Sequence, residues 1–397
     1  MLNQVNVIPV SHIARRRVLL VLGWYDYRLH RGIERYAQEH GWLLTEDVAL
    51  EKVIPWGWEG DGILAWLGAG DDLADFVHDA SLPTVDFSFR RPQLKFARVL
   101  EDTTETARLV AEYYLSRGFS NFLFYNDTPN WIHEERGNAF ARALEEAGGN
   151  LTWCLWHKST AFRTDRKAWK RKRKWLEQEI KRAPKPVGVF AASDGLAMEV
   201  LETCESAGIT VPDDVSIVGA GNNLLAADAM HTPISSVDVN METIGYRGAE
   251  LLDTLMTRKV APSNPVRVPP FRLITRKSSD ATAVSHPGLA RSLRFMWEHC
   301  DEPMGVESLA QMASMSVRGY HETFVKHLGR SPGVELHRIR IERAKRLLSD
   351  SDSKLEVIAK MCGYQNSNSL WVAFKQATGM SPKQYRLKFP KVSYKLI

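Results

Sequence analysis

Hydrophobic residues in the first two thirds of the chain fall into two alternating patterns. Short, continuous apolar runs, as at 17–23, are typical of strands buried in a parallel sheet. Longer segments with apolar residues near a 3.6-residue period, as at 28–40, predict amphipathic helices. Strands are predicted at 17–23, 41–45, 60–65, 84–87, 122–125, 187–191 and 216–218, and helices at 28–40, 71–80, 103–117, 135–146 and 195–207. The alternation predicts an α/β fold of open parallel sheets covered by helices, and its length favours two lobes over one sheet.

The remaining third carries only helical patterns, and these occur as a repeated unit. A short amphipathic helix, a tight turn and a second helix ended by glycine occur twice. The segments are 306–313 and 316–328 with Gly329, then 355–361 and 367–378 with Gly379, and a long helix at 333–348 joins them. Gly363 stands in the second turn, where a residue must accept positive φ without strain. The pattern predicts an all-α domain with two helix-turn-helix motifs.

This C-terminal pattern resembles the AraC-type DNA-binding domain along its full length. A Ser-Pro pair follows each glycine-terminated helix, at Ser331-Pro332 and Ser381-Pro382, and the run IAKMCGY and the pair Phe374-Lys375 also match. Agreement at so many fixed spacings is far more specific than one helix-turn-helix pattern. The resemblance implies that double-stranded DNA is a partner of the chain.

The part before it is similar to the sugar-sensing core of LacI/GalR-type repressors, which has the fold of periplasmic binding proteins. The motifs are DGILAW, ASLPTVDF, TPISSV and, most specific, AGITVPDDVSIVG at 207–219. LacI-type proteins carry a helix-turn-helix ahead of this core. Here there is no room for one before Arg17, and an AraC-type domain follows instead. That combination resembles the XylR-type family of xylose-responsive regulators.

The predicted organisation has four parts. A tail at 1–15 precedes a two-lobed sensor domain at 16–280, a linker at 281–288 and a DNA-binding domain at 289–391. From His286 onward there are 18 Lys and Arg against 10 Asp and Glu, whereas the preceding residues are slightly acidic. A basic C-terminal third suits a domain that binds phosphate, because Lys and Arg there displace condensed counterions.

Candidate effector-binding residues follow the predicted strands. In α/β lobes, ligands bind outside the carboxyl ends of strands, and sugars need carboxylates, amides and flat aromatic rings. The candidates are Trp24, Tyr25, Asp26, Trp66, Asp102, Trp131, Ser193, Asp194, Asn222 and Asn223. Asp26, Asp102 and Asp194 are alternatively helix caps, and the tryptophans are alternatively core or lid residues.

The sensor part departs from the family pattern at three positions. Gly221 stands where a sugar-binding carboxylate is usual, Glu134 where an Arg is frequent, and Val239 where a Gln is common. A changed set of polar groups implies a changed pattern of recognised hydroxyls, because an unpaired buried polar group costs about 1–3 kcal/mol. Xylose, another monosaccharide and a small glycoside are therefore all candidate effectors.

Candidate DNA-contacting residues lie early in the second helix of each repeat and point away from its core. They are Ser316, Arg318, His321, Glu322 and Lys326 in the first repeat, and Gln365, Asn366, Ser367, Asn368, Trp371 and Lys375 in the second. Arg318 suits guanine, Glu322 suits cytosine N4 and Asn368 suits adenine. Lys326 and Lys375 suit phosphate. The alternative is an ordinary polar helix face.

The most basic segment, 163–182, is interpreted as a solvated helix whose Trp169, Leu176 and Ile180 face a sheet. Contact with flanking DNA is the alternative function.

Other chemistry finds little support in the sequence. The four cysteines are scattered, without Cys-x-x-Cys or a histidine at metal-ligand spacing, so a reduced protein with no metal or other cofactor is predicted. No nucleophile–base pair or phosphate loop indicates an enzyme, and no catalytic residue is proposed. No apolar run spans a bilayer and no secretory leader is apparent, which disfavours a transport binding protein and a membrane partner.

The predicted function is a cytoplasmic, nucleoid-associated transcription factor, most simply a homodimeric activator that acts with RNA polymerase. Sugar binding closes the sensor and changes DNA binding. The alternative keeps the architecture but gives the sensor a non-sugar ligand or a protein partner.

Overall fold

The computed structural model describes residues 15–46, 48–49, 53–68, 70–223, 231–258, 260–280 and 286–388. Most of the predicted tail, most of the predicted linker and the end of the predicted DNA-binding domain therefore lie outside the described residues.

The described strands and helices include every element that the hydrophobic pattern predicts, in the predicted order, together with several that it does not predict. The strands are β1 (Arg17–Leu22), β2 (Leu43–Thr45), β3 (Gly62–Trp66), β4 (Thr84–Asp86), β5 (Ala97–Glu101), β6 (Asn121–Asn126), β7 (Asn150–Leu155), β8 (Val187–Ala191), β9 (Val215–Ala220), β10 (Ser235–Asp238), β11 (Val266–Val268) and β12 (Arg272–Ile274). The helices are α1 (Tyr27–His40), α2 (Asp71–Asp79), α3 (Thr103–Leu115), α4 (Trp131–Glu145), α5 (Ala168–Arg182), α6 (Asp194–Ser206), α7 (Met241–Arg258), α8 (Pro287–Glu298), α9 (Val306–Met312), α10 (Val317–Leu328), α11 (Pro332–Asp350), α12 (Leu355–Met361), α13 (Ser367–Thr378) and α14 (Pro382–Lys388).

The chain divides into two units. The first contains the residues up to Thr106 together with Pro129–Arg136 and Asp238–Arg272, and the second contains the rest. The first unit holds a sheet of strand order β11-β5-β4-β3-β1-β2, in which every neighbouring pair is parallel. All six strands therefore present their carboxyl ends at one edge. The predicted fold class, an α/β sensor followed by an all-α domain, is confirmed.

A second sheet has the order β12-β10-β9-β8-β6-β7. Its five strands β10, β9, β8, β6 and β7 all pair in parallel with their neighbours. Its central strands are buried along their whole length, as continuous apolar runs predict for a sheet covered on both faces. The carboxyl ends of these five strands also share one edge.

One side chain of the basic helix α5 does not lie where the sequence predicts. Leu176 and Ile180 are fully buried, as expected, but Trp169 is 62% exposed. Its ring packs instead against the Arg173 guanidinium, 5.3 Å from the ring centroid. The prediction that Trp169 faces the sheet is wrong, because a cation–π contact on the helix surface replaces burial.

The C-terminal helices form two small cores that share α11. Leu289, Tyr320 and Phe324 belong to the first core, which reaches Ile339 on α11, while Leu370 and Phe374 belong to the second, which begins at Ile341. Each helix-turn-helix motif thus encloses a core of its own, as the repeated pattern predicts.

The predicted caps and turns of this domain are present. Ser331 caps α11 with Pro332 as the first helical residue, and Gly329 and Gly379 end α10 and α13 with positive φ. Gly363 has a φ of +72°, and a Cβ at this position would approach the Cys300 carbonyl oxygen to 2.4 Å. The turn between α12 and α13 therefore requires glycine for both conformation and space.

Helix α8 begins at Pro287, inside the predicted linker. Within the second unit it contacts the segment that follows α3. The guanidinium of Arg117 lies 3.8 Å from the Tyr113 ring centroid and 4.5 Å from that of Trp297 on α8. Burial lowers the pKa of Arg117.

Two further contacts connect the same parts of the second unit. Arg330 donates to the Ser116 carbonyl, and Arg294 pairs with Asp213 at 3.1 Å. Arg330 is held by Glu335, a buried carboxylate that also binds Arg338. Burial acts to raise the pKa of Glu335, but the bonds from Arg338 and Arg330 outweigh it and lower the pKa. Within the second unit, the C-terminal helices are therefore joined to the preceding α/β part by a cation–π contact, a hydrogen bond and an ion pair.

Candidate functional site

Aromatic side chains lie at the carboxyl edge of the first sheet. Trp24 follows β1 and Trp66 ends β3, and their ring centroids are 4.7 Å apart. Trp24 is 47% exposed although it is large and apolar. The structure brings these two predicted residues together, and exposed ring faces of this kind suit the apolar C–H face of a sugar.

Two of the predicted carboxylates at this edge act as helix caps. Asp26 accepts from the Arg28 backbone N–H at 2.8 Å and from its guanidinium at 2.6 Å, and its side chain is largely buried. Asp102 accepts from the backbone N–H groups of Thr104 and Glu105, both at 3.1 Å. The capping roles that the sequence left open are therefore filled, and each carboxylate has fewer free lone pairs for a ligand.

The first sheet's edge also holds buried charged groups that the sequence analysis missed. Glu101 ends β5 and accepts two bonds from Arg136, at 3.1 and 2.5 Å, with both side chains buried. Asp86 ends β4, is fully buried, and accepts from Ser88 and from the Leu67 backbone. Burial raises the pKa of Asp86 to about 6. Both carboxylates stand at the end of an apolar run, and that position was the signal in the sequence that could have identified them.

The predicted residues of the second sheet form one connected network. Ser193 caps α6, and Asp194, which is 3% exposed, accepts from the Ser236 hydroxyl at 2.5 Å and from the Asn223 backbone at 2.7 Å. Asn222 has a φ of +49°, is 2% exposed and accepts from Arg276 at 3.0 Å. Asp194 therefore fixes the loop that carries Asn222 and Asn223, and the alternative that it caps the helix is wrong because Ser193 does so.

A second polar group at this edge lies beyond β6. Lys172 of α5 pairs at 2.9 Å with both Asp127 and Glu199, and Glu199 also accepts from the Tyr125 hydroxyl at 2.8 Å. Trp131, which sequence reasoning also named after β6, belongs to the first unit instead, where it is half-buried and its ring lies 6.3 Å from that of Phe89. Asp127 directly follows a strand, so its location could be predicted from the sequence. Lys172 and Glu199 could not be linked to it, because they lie on helices distant in the chain.

In the C-terminal helical domain, the predicted contact residues of α10 lie on one outward face. Tyr320 and Phe324 are fully buried, and Arg318, His321, Glu322 and Lys326 are exposed. Ser316 is the N-cap, with its hydroxyl accepting from the Gly319 backbone at 3.1 Å. Arg318 Nε donates to Glu322 Oε1 at 2.9 Å. The two side chains predicted to contact bases thus contact one another.

Helix α13 presents a matching face. Gln365, Asn366 and Asn368 are exposed, and Asn366 forms a capping box with Ser369. Trp371 is 38% exposed, and the Lys375 ammonium lies 4.9 Å from its ring centroid. Ser367 is half-buried, and its backbone donates to Glu356 at 3.1 Å.

The chemistry of these surfaces differs between the two parts of the chain. The sheet edges offer amides, carboxylates and ring faces, which suit a neutral polyhydroxylated ligand. The outward faces of α10 and α13 offer cations, amides and one tryptophan, which suit base edges and phosphate. No helix among the described residues is both long enough and apolar enough to cross a bilayer.

Comparison with known proteins agrees with this division. Residues 111–279 match the periplasmic binding protein-like domain family, and residues 309–388 match a helix-turn-helix domain family. The chain is 25% identical over 378 residues to the xylose operon regulatory protein of Escherichia coli (strain K12), covering 91% of this chain and 94% of that protein. The protein of the same name from Haemophilus influenzae is 24% identical over 383 residues, covering 91% and 95%.

Among solved structures, the chain resembles that of the xylose-binding transcription activator xylR. The TM-score is 0.58 at 22% identity, with 94% of this chain and 98% of that chain covered. At this identity the likeness concerns the fold. The chain therefore joins a periplasmic-binding-protein-like domain to a C-terminal helix-turn-helix domain.

Proposed function

We propose that the protein is a sugar-responsive transcription factor that activates genes of carbohydrate use. The observation that carries this proposal is the similarity to xylose operon regulatory proteins across nine tenths of both chains, which includes the sensor and the DNA-binding parts together. The polar and aromatic residues at the sheet edges and the exposed faces of α10 and α13 give each part a matching chemistry.

The effector is a small sugar, with D-xylose the first candidate, held by residues from the carboxyl ends of the strands. Trp24 and Trp66 supply ring faces, and Asn222 and Asn223 supply amides. Sugar binding closes the sensor and alters the spacing of two DNA-binding domains in a homodimer. To shift the DNA affinity, the sugar must bind the two states with different affinities, and a coupling of about 1–3 kcal/mol is sufficient.

On DNA, α10 and α13 enter consecutive stretches of the major groove. Arg318 and Asn368 contact bases, while Lys326 and Lys375 contact phosphate. As an activator the protein acts with RNA polymerase at the promoter, in the cytoplasm and associated with the nucleoid. It has no catalytic role in this scheme.

The test uses the purified full-length protein and a labelled duplex selected from a randomised library. Fluorescence anisotropy measures the DNA affinity with no sugar and with saturating D-xylose, L-arabinose, D-glucose or cellobiose. At least one sugar should change the affinity by about 5- to 150-fold. Sedimentation of the complex should give two chains per duplex.

Two results contradict different parts of the proposal. Absence of any preferred duplex overturns the DNA-binding function. A preferred duplex whose affinity no sugar changes leaves a DNA-binding protein whose sensor takes another ligand or a protein partner.

A further inference from the structure

A buried histidine near the carboxyl edge of the first sheet has an imidazole nitrogen without a hydrogen bond. His30, on the first turn of α1, is 5% exposed. Its Nδ1 lies 3.1 Å from the hydroxyl oxygen of Tyr25, while Nε2 is buried and has no hydrogen-bond partner.

Two carboxylates face this nitrogen. Glu34 lies one turn later on the same helix, and Glu46 comes directly after β2. Their nearest oxygens are 3.9 and 3.2 Å from Nε2, and the three atoms all lie within 4.8 Å of one another. A nitrogen and two carboxylate oxygens therefore converge on one small volume.

The arrangement is unfavourable without a cation. If Nδ1 carries the proton and donates to Tyr25, Nε2 is a bare acceptor facing two anionic acceptors. If Nε2 carries the proton, its N–H finds neither carboxylate in hydrogen-bonding position, although one oxygen is 3.2 Å away. A cation placed between the three atoms satisfies all of them at once. Burial and the negative charge of Glu34 and Glu46 also raise the pKa of Tyr25, which keeps its hydroxyl neutral.

The spacing suits a tetrahedral transition metal. Bonds of about 2.0–2.2 Å from zinc to nitrogen and oxygen place neighbouring ligands roughly 3.3–3.5 Å apart. The Glu46 oxygen is already near this separation from Nε2, and Glu34, whose side chain is 45% exposed, can approach by a small rotation. We propose that His30 Nε2, Glu34 and Glu46 bind a divalent transition-metal ion, zinc in the first instance, with water completing the coordination.

Two features favour zinc over calcium or magnesium. Imidazole is a ligand that suits zinc, copper and nickel, whereas calcium and magnesium prefer sites built from oxygen alone. Tyr25 holds the other ring nitrogen, an outer contact that fixes the tautomer and orientation of a metal-bound histidine. The sequence analysis predicted no metal site because the third ligand is twelve residues beyond the helical pair His30 and Glu34.

The test uses full-length, tag-free protein stripped with EDTA. Calorimetric titration with zinc chloride should show one site per chain, and saturating zinc should raise Tm by about 5 °C. His30→Ala should abolish both effects, and Glu46→Gln should weaken zinc binding at least tenfold. His78→Ala, which removes an exposed histidine of α2, is the matched control and should bind zinc as the wild type does.

Cobalt substitution separates this site from the four buried cysteines. Bound cobalt should give visible d–d bands without the near-ultraviolet charge-transfer band of a thiolate ligand, and these bands should be lost in His30→Ala and reduced in Glu46→Gln. The proposal is overturned if the wild type binds no zinc, if both variants bind zinc normally, or if the thiolate band is present. It is also overturned if the two variants lose sugar binding and the wild type takes up no metal, since the cluster then belongs to the effector site.

Discussion

Arg318 and Glu322, two candidate base-contacting residues, form an exposed ion pair on α10. Their bond uses Nε of Arg318, so the two terminal nitrogens stay available for a bidentate contact with guanine. The pair is exposed and adds little to stability. We propose that Glu322 orients Arg318, in addition to the direct cytosine contact that the sequence predicts.

Replacement of Arg318 by alanine should relax the base preference at one position of the selected duplex. The loss should be about 1–3 kcal/mol against the preferred base pair and small against the others, as measured by anisotropy with single-substituted duplexes. Lys326→Ala is the matched control, because a phosphate contact weakens binding to all duplexes alike and lowers the salt slope by about one. Equal losses on every duplex for Arg318→Ala would contradict a base-reading role.

Asp86 should make the unfolding free energy depend on pH. Its pKa is about 6 in the folded protein and near 3.8 when unfolded, so the folded state binds the proton more tightly. The corresponding stability is fully present below the unfolded pKa and is lost as pH rises to about 6. Relative to Asp86→Asn, the wild type should lose about 2–3 kcal/mol between pH 4 and pH 7, measured by urea unfolding. Parallel stability profiles for the two proteins would contradict this assignment.

At this scale, the sequence predicted several of the residues at the sheet edges, but it missed the buried Glu101 and Asp86 and the hydrogen-bond partners of the residues that it named. Asp102 follows a strand and precedes a helix, so both its location and its capping role were predictable. The partner of Asn222 is Arg276, 54 residues away, and no local pattern connects them. A side chain's hydrogen bonds depend on which distant strands become neighbours, and that is fixed by packing.

Among the elements, several helices were predicted to within one or two residues, but α4 begins four residues before its predicted start, and α7 and several strands were not predicted. Helix α12 and helix α13 have the predicted bounds because glycine, asparagine and serine mark their ends. Strand β5 was missed, since charged Arg98 and Glu101 interrupt its apolar run although both are buried by ion pairing and hydrogen bonds. Strands β11 and β12 have three residues each, too few for a period to emerge.

At the N-terminus of α13, the effect of a residue on folding stability can be measured separately from its effect on DNA recognition. Asn366 caps the helix within a capping box, whereas Asn368, two residues later, is exposed on the helix surface. Asn366→Ala should destabilise the protein by about 1 kcal/mol and also weaken DNA binding. Asn368→Ala should leave thermal unfolding unchanged and weaken binding only to duplexes with the preferred adenine. Differential scanning calorimetry and anisotropy give the two measurements, and a stability loss for Asn368→Ala would contradict the division of roles.

For the whole molecule, the sequence predicted the order of the domains but not their contacts. Trp297 and Arg117 are 180 residues apart, and no local pattern connects them. Their contact depends on where α8 packs, and α8 itself begins in a segment that the sequence assigns to a linker. A contact between two domains leaves no periodic signal in the sequence, because it involves only a few positions of each domain.

The contact of Trp297 with Arg117 should carry the sugar response to the DNA-binding domain. Trp297→Ala removes a ring that covers a buried guanidinium and also packs against the core around Phe324, so the α8 contact weakens, whereas the core around Phe374 is not touched. The sugar-induced change in DNA affinity should fall to less than about a third of the wild-type value, since a coupling of 1–3 kcal/mol depends on contacts that differ between two states. Trp169→Ala removes an exposed tryptophan of α5 and is the matched control, with an unchanged sugar response. Anisotropy with and without saturating sugar measures both variants, and a full response in Trp297→Ala would place the coupling elsewhere in the chain.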